Sequence, residues 1–178
     1  MVDHALHPEP ARAGAVPRPD ASAPRNLVGL TRQEITTELV AAGSPERSAG
    51  MRANQVWHWI YHRGARSFAD MTTLSKALRV RLAATHEISR GEISRSQTSA
   101  DGTRKWLLRF ARGNEVESVY IPENDRGALC LSTQVGCTLT CAFCHTGTQP
   151  LVRNLGPGEI VAQLLVARDV LGEWPSPQ

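Results

Sequence analysis

Apolar residues recur at helical spacing in the first half of the chain. The run Thr31-Arg-Gln-Glu34 has the pattern of a capping box and predicts a short helix that ends at Gly43. A second helix is predicted over about residues 75–85 by three leucines four positions apart: Leu74, Leu78 and Leu82. These two segments indicate a small helical unit early in the chain.

An aromatic helix is predicted between those two. Ser44-Pro45-Glu46 has the pattern of an N-cap with proline in the first helical position, and Gly64 is placed to end the helical segment 53–64. One face carries Val56, Trp59 and Ile60, and another carries Trp57 and Tyr61. Aromatic rings on a helix stack on RNA bases in some proteins, but they are more often core, which we predict here. With no third ligand in view, the pair His58 and His62 is interpreted as part of a polar face.

From Ile93 onward the pattern changes from helical to alternating. Trp106, Leu108 and Phe110 alternate with less apolar neighbours, and Asp101-Gly102 is a strong hairpin signal. A second turn near Gly113 leads into 115–121, which completes a predicted three-stranded antiparallel meander. On its last strand Glu117 falls among apolar residues. A carboxylate in that position lies either at a sheet margin or in a site with a raised pKa, and the residues alone favour the margin.

The last third of the chain predicts a strand, a loop and a helix in succession. Residues 128–135 alternate and predict a strand, and residues 157–171 predict a helix with four apolar residues along one stripe: Ile160, Val161, Leu164 and Leu165. Strand, loop and helix in this order form the first unit of an α/β barrel, which carries its chemistry on loops at the C-terminal ends of strands. The predicted fold class is therefore α/β.

Composition narrows the class of protein without deciding its function. The chain has 178 residues, 41% apolar and 21% charged, as in ordinary globular proteins, and no apolar run has the length of a membrane span. Residues 1–25, rich in proline and alanine, predict a disordered tail. The net charge is +3, yet residues 46–112 hold 13 Arg and Lys against 5 Asp and Glu. Such a stretch is either a solvated surface or one that follows a phosphate backbone.

Three cysteines in the predicted loop carry the clearest chemical signal. Cys137, Cys141 and Cys144 have the spacing C-x3-C-x2-C. Iron–sulfur clusters are held by cysteine thiolates, typically four, so three ligands leave one iron of a [4Fe–4S] cluster open. A zinc site that adds His145 is an alternative, although adjacent ligands fit a tetrahedron poorly. A disulfide framework is disfavoured because the N-terminus shows no secretory signal, and we predict a reducing cytoplasmic location.

With these residues assembled, the chain resembles a family of radical S-adenosylmethionine enzymes, the bacterial methyltransferases that modify adenine C2 in 23S ribosomal RNA and transfer RNA. The cysteine spacing alone identifies only the superfamily, whereas several further segments, in order, resemble this family over about residues 27–178. They are Gln55-Val-Trp-His-Trp-Ile-Tyr61, Ser99-Ala-Asp-Gly-Thr-Arg-Lys-Trp106, Val116-Glu-Ser-Val-Tyr-Ile-Pro-Glu123, Leu129-Cys-Leu-Ser-Thr-Gln-Val-Gly-Cys137 and Arg153-Asn-Leu155.

The resemblance implies a set of functional residues. Cys137, Cys141 and Cys144 would hold a [4Fe–4S] cluster, whose open iron binds S-adenosylmethionine. Cys130 matches a family cysteine that attacks the sulfur of a methyl-carrying cysteine, forms a disulfide with it and frees the RNA. Glu117 matches a family glutamate near the substrate and is the candidate for removing a proton from the adduct. The expected partners are 23S rRNA, tRNA and an external electron donor, with no membrane, and the chain is expected to be a monomer.

The resemblance also suggests how the chain is divided. We expect a tail at 1–25, a helical accessory domain that contacts RNA at 26–92, the antiparallel meander at 93–122 and the start of the radical S-adenosylmethionine barrel at 127–178. The family's downstream Gly-Glu-Pro segment and methyl-carrying cysteine have no counterpart here, and Pro150 stands where the family more often has glycine. We therefore expect an N-terminal portion that is inactive by itself. Alternatives are an RNA-binding remnant without catalysis, a small zinc protein and the related adenine-C8 methyltransferase.

Overall fold

The computed structural model describes residues 23–110, 113–139 and 141–174. The helices are α1 (Arg32–Ala41), α2 (Glu46–Tyr61), α3 (Lys76–Thr85) and α4 (Pro157–Leu171), with short 3-10 turns at Phe68–Asp70 and His145–Thr148. The strands are β1 (Arg25–Asn26), β2 (His86–Glu87), β3 (Glu92–Thr98), β4 (Arg104–Arg109), β5 (Glu115–Pro122), β6 (Gly127–Cys130), β7 (Gln134–Val135) and β8 (Arg153–Asn154). The predicted mixed α/β class is confirmed. Residues 1–22 of the predicted tail 1–25 lie outside the described residues, whereas Arg25 belongs to strand β1, which corrects the predicted boundary.

The helical unit follows the local signals in the sequence closely. The hydroxyl of Thr31 accepts a hydrogen bond from the backbone N–H of Glu34, whose carboxylate in turn accepts one from the N–H of Thr31, so the predicted capping box caps α1. The predicted helix of the three leucines is α3, capped by Ser75, with Leu78 and Leu82 fully buried. Gly43 and Gly64 both take the left-handed conformation that ends a helix.

The start of α2 differs from the prediction. Pro45 occupies the N-cap position rather than the first helical turn, and Ser44 makes no capping hydrogen bond. The Ser44 side chain is instead buried, and its hydroxyl lies 3.5 Å from a guanidinium nitrogen of Arg52. The helix is also longer than the aromatic segment 53–64 that predicted it, because Ala49 and Ala53 continue its buried face toward the N-terminus.

The antiparallel sheet has four strands, not the predicted three. Its order is β3-β4-β5-β6, and Cys130 of β6 is paired with Val119 of β5. Trp106, Leu108 and Phe110 are buried on one face, as their alternation predicts. A separate two-stranded parallel sheet joins β1 to β2, which no local pattern in the sequence indicated.

The single strand predicted over 128–135 is divided in two. Its first part is β6, and its last part is β7, which pairs antiparallel with β8. Between them the backbone N–H and C=O of Ser132 both bond to the side chain of Gln163 in α4. Because that side chain takes the groups that a strand neighbour would take, strand pairing is interrupted there.

Helix α4 has the predicted bounds, but the predicted apolar stripe is only partly buried. Leu165 is fully buried, whereas Leu164 is 44% exposed and Ile160 and Val161 are half-buried. The buried face is rotated and also contains Ala162, Gln163, Val166 and Ala167. The apolar residues of this face join a single hydrophobic cluster that extends through the sheet to the first three helices. No helix within the described ranges is both long and apolar enough to cross a membrane.

Ionic and aromatic contacts tie α4 to the helical unit. The guanidinium of Arg90, almost completely buried, forms an ion pair with Asp169 and donates to the carbonyl of Ala65 at 2.8 Å. The indole N–H of Trp174 donates to Asp169 at 2.8 Å, and the guanidinium of Arg168 lies 3.9 Å from the centre of the Trp174 ring. The segment after α4 is thereby held against the turn that follows α2.

Candidate functional site

The cysteine loop, defined as residues 136–152, is closed at its base by backbone pairing. It leaves β7 and returns to β8, and the N–H of Cys137 donates to the carbonyl of Gln149 at 3.1 Å. Gly136 has φ +76°, and a Cβ at this position would lie 2.1 Å from the carbonyl oxygen of Pro150. Only glycine fits that contact. Pro150, where the resembled family more often has glycine, therefore takes part in closing the loop.

The three predicted ligands all lie on this loop as free, half-buried thiols. The Sγ of Cys137 accepts a hydrogen bond from the N–H of Leu139 at 3.3 Å, and the N–H of Cys144 donates to the carbonyl of Cys141 at 3.1 Å. Thr140, between the first two cysteines, is outside the described residues. Among the described residues no group of three or more His, Cys, Asp or Glu side chains is gathered as a metal site. The ligand set therefore stays a prediction.

The donor chemistry of the loop nevertheless suits an iron–sulfur cluster. Three thiols lie within eight consecutive residues and none is in a disulfide. Soft thiolate ligands favour iron–sulfur clusters and zinc over hard cations. Next to them, Phe143 is 94% exposed and Leu139 is 63% exposed. Apolar side chains around a cluster limit water access and tune its potential, so the residues present fit such a group.

Cys130 and Glu117 share one face of the four-stranded sheet. Cys130 is directly opposite Val119, and Glu117 is two residues from Val119 on the same strand. Directly opposite residues project to the same side, and diagonal neighbours lie about 7–8 Å apart. Both side chains are exposed, and the Glu117 carboxylate forms an ion pair with Lys105 at 3.1 Å. Glu117 is thus exposed and ion-paired on an inner strand of the sheet, and its role stays a prediction.

The opposite face of the same sheet packs on α4 through Gln163, a residue that the sequence analysis missed. Its Oε1 accepts hydrogen bonds from the hydroxyl of Ser118 at 2.8 Å and from the N–H of Ser132 at 2.9 Å. Its Nε2 donates to the carbonyl of Ser132 at 2.8 Å. Gln163 is completely buried, so it fixes the segment between Cys130 and the cysteine loop. The available signal was one amide in an otherwise apolar stretch of helix.

The end of the cysteine loop is held by a second polar contact. Arg153, buried, donates through both terminal nitrogens to the carboxylate of Glu159 at 2.7 Å, and its Nε donates to the side-chain oxygen of Asn114 at 3.0 Å. The hydrogen bond to Glu159 raises the pKa of Arg153 above its ordinary value. Bidentate pairing of this kind fixes orientation as well as position. Together with Gln163, it leaves both ends of the loop anchored on α4.

The aromatic side chains of α2 are half-buried. Trp57 and Trp59 are half-buried, and the guanidinium of Arg32 lies 4.0 Å from the Trp57 ring centre. Val56 and Ile60 form the buried face, and Trp57, Trp59 and Tyr61 pack against the core only partly buried, so the core prediction for the aromatic rings is met only in part. His58 and His62 are exposed and their rings stack 5.0 Å apart, in agreement with the polar-face interpretation.

Known proteins match both the helical unit and most of the remaining chain. Residues 25–88 match the family model described as the ribosomal RNA large subunit methyltransferase N-terminal domain. A dual-specificity RNA methyltransferase RlmN of Paracoccus denitrificans is 64% identical over 156 residues, which are 88% of this chain and 40% of that protein. The corresponding protein of Rhodospirillum rubrum is 60% identical over 159 residues, or 89% of this chain and 36% of that protein.

A solved structure shows the same relation at the level of the fold. A radical SAM methyltransferase from Sphaerobacter thermophilus superimposes with a TM-score of 0.74 at 38% identity, over 84% of this chain and 43% of that protein. The chain thus spans about 40% of the length of the curated relatives it matches. High identity over that part includes the family-model region and extends well beyond it.

Proposed function

We infer that this chain, which carries the N-terminal domain of the ribosomal RNA large subunit methyltransferases, is the amino-terminal portion of a radical S-adenosylmethionine enzyme that methylates RNA. The main support for this proposal is the three-cysteine loop, which is anchored at both ends on α4, in a chain 64% identical to a dual-specificity RNA methyltransferase. We propose adenine C2 of 23S rRNA and of tRNA as the modified position, in the reducing cytoplasm.

Cys137, Cys141 and Cys144 would hold a [4Fe–4S] cluster, and the one open iron would bind S-adenosylmethionine. Once reduced by an external electron donor, such a cluster would supply the electron for cleavage of S-adenosylmethionine. The contribution of this chain is to fix the loop. The contact between Gly136 and Pro150 sets its path, and the exposed Phe143 supplies apolar surface beside the thiols.

Cys130 and Glu117 would act on the substrate from the exposed sheet face. Cys130 is a free, exposed thiol with access for attack on a partner sulfur, as thiol–disulfide exchange requires. Glu117 would accept a proton from the RNA adduct, and Lys105 is placed to orient its carboxylate. Both side chains lie on the face opposite α4, so they are available to a bound nucleotide.

The test of the cluster assignment is anaerobic reconstitution of the 178-residue chain with iron and sulfide. We expect a brown protein with the absorption and reduced-state paramagnetic signal of a [4Fe–4S] cluster. Cys141→Ser should lose most of the iron, whereas Cys130→Ser, the matched control, should keep it. Zinc bound in preference to iron, or equal iron in both variants, would favour the zinc protein instead.

An RNA-binding role has independent support in the charge distribution. Several cations of the basic stretch 46–112 have no ion-pair partner among the described residues, among them Lys76, Arg95 and Arg104. Unpaired cations are available to phosphates, and binding through them weakens as salt rises. RNA binding that persists in a Cys141→Ser variant is therefore expected. If RNA binds while neither the unchanged chain nor any variant takes up iron, the non-catalytic RNA-binding role becomes the better description.

A further inference from the structure

An open pocket of about 660 Å³ lies beside α2, away from the cysteine loop. Its lining comes from one face of α2, the turn that follows the helix, and Thr73. This volume is within the range of small-molecule sites in proteins, about 300–1,000 Å³. Among the described residues, none from the cysteine loop or the exposed sheet face lines this pocket, so the pocket is a separate feature of the molecule.

An aromatic ring forms part of the pocket in a fixed orientation. The indole N–H of Trp59 donates to the hydroxyl of Thr73 at 2.8 Å. The side chain is half-buried, so the ring is anchored on one side and accessible on the other. A ring already held in place loses little conformational freedom when another planar group stacks on it.

Polar side chains that have no hydrogen-bond partner in the described part of the chain surround that ring. Asn54, Gln55 and His58 line the pocket, and their side chains make no hydrogen bond to any residue in the described ranges. Each amide offers two donors and an acceptor, and the imidazole offers one of each when neutral. This is the mixed donor and acceptor set that matches the edge of a nucleobase.

The charge of the pocket favours an anion. Arg63 is at its rim and has no ion-pair partner within residues 23–110, 113–139 and 141–174. No carboxylate belongs to the lining. A guanidinium suits a phosphate because its planar fork matches two phosphate oxygens.

We propose that this pocket binds one unpaired nucleotide of the RNA substrate, with the base stacked on Trp59 and its phosphate on Arg63. The base edge is read by Asn54 and Gln55. Because Watson–Crick pairing hides that edge, the site accepts a looped-out or single-stranded nucleotide and not a duplex. The proposal rests on RNA as the substrate and adds a contact remote from the chemistry, one that positions the RNA.

The test is titration of the chain with a stem-loop RNA and with a fully paired duplex of the same length, followed by NMR. We expect the indole N–H signal of Trp59 and the side-chain amide signals of Asn54 and Gln55 to shift with the stem-loop and not with the duplex. Gln55→Ala and Arg63→Ala should each weaken stem-loop binding by about tenfold. Both replaced side chains line an open pocket, so neither change should prevent folding.

Arg47→Ala is the matched control, because it removes the same charge at the opposite end of α2, about 20 Å from the end that precedes Arg63. It should weaken binding by about twofold and leave the Trp59 shift intact. Equal losses for Arg47→Ala and Arg63→Ala, or shifts that are the same with duplex, would overturn the pocket assignment. RNA binding without any pocket shift would overturn the pocket alone, whereas failure to take up iron would count against the proposed enzyme.

Discussion

Gln163 is expected to be the polar residue on which the position of the cysteine loop most depends. The perturbation is Gln163→Leu, which keeps nearly the same volume but removes both the acceptor and the donor. The hydroxyl of Ser118, which is completely buried, and the backbone N–H and C=O of Ser132 would all lose their partner.

The magnitude follows from those three hydrogen bonds between elements. A typical protein hydrogen bond contributes about 1 kcal/mol net, and a buried group left without a partner costs about 1–3 kcal/mol. Gained apolar burial by leucine offsets about 1–2 kcal/mol of this. We therefore expect the free energy of unfolding to fall by about 3 kcal/mol, allowing for this offset and for partial rescue by water.

The assay is urea denaturation followed by far-UV circular dichroism. Ser118→Ala is the matched control, since it removes one of the three bonds and leaves both contacts to Ser132, and it should cost about 1 kcal/mol. A second readout is hydrogen exchange of the Ser132 amide, which should become faster in Gln163→Leu than in Ser118→Ala. A Gln163→Leu protein within about 0.5 kcal/mol of the wild type would refute the reasoning.

Three further changes probe the loop and the first helix by thermal denaturation. Gly136→Ala should destabilise the chain by about 2 kcal/mol, because Gly136 has a positive φ and contacts Pro150. The control Gly50→Ala, in open space within α2, should instead stabilise the chain by about 0.5–1 kcal/mol. Arg153→Ala should cost about 2 kcal/mol by breaking the bidentate bond to Glu159, and a Glu159→Gln change that costs more would contradict this ranking. Hydrogen bonds from the backbone N–H and hydroxyl of Thr31 lower the pKa of Glu34 below its ordinary value of 4.5. The ionised Glu34 carboxylate therefore stabilises the fold above that pH, and this stabilisation is lost as the pH falls through the folded-state pKa. The difference in melting temperature between wild type and Glu34→Gln should therefore shrink from pH 7 to pH 3, and a constant difference would contradict it.

The features that the sequence predicted well depend on contacts between near neighbours. The capping box at Thr31, the leucine face of α3 and the burial of Trp106 and Leu108 are set within a few residues of each position. The same holds for the bounds of α4, where proline begins the helix and Gly172 ends it in the left-handed conformation. Local propensity and periodicity are sufficient for such elements.

The features that escaped prediction depend on contacts between distant residues. The predicted strand 128–135 is interrupted because Gln163, about thirty residues later, bonds to Ser132. The buried face of α4 is rotated from its most apolar stripe because the same amide must face the sheet. The pairing of β1 with β2 joins residues about sixty positions apart. No local pattern contains these contacts.

The candidate site likewise has features that the sequence predicts and features that only the folded chain shows. The spacing of the three cysteines is a property of the sequence, and the structure adds how the loop is closed and anchored. The shared face of Cys130 and Glu117 depends on strand register, which a one-residue shift would reverse, and the fourth strand was not predicted to join this sheet. The exposure of Glu117 and its ion pair with Lys105 were likewise visible only in the folded chain.

The most direct test of the proposed cluster site is the native mass of the anaerobically reconstituted chain. We expect an added mass equal to four irons and four sulfides per monomer, absent from a variant in which Cys137, Cys141 and Cys144 are all replaced by serine. An added mass of one zinc ion, or the same iron and sulfide mass on the triple variant, would contradict it.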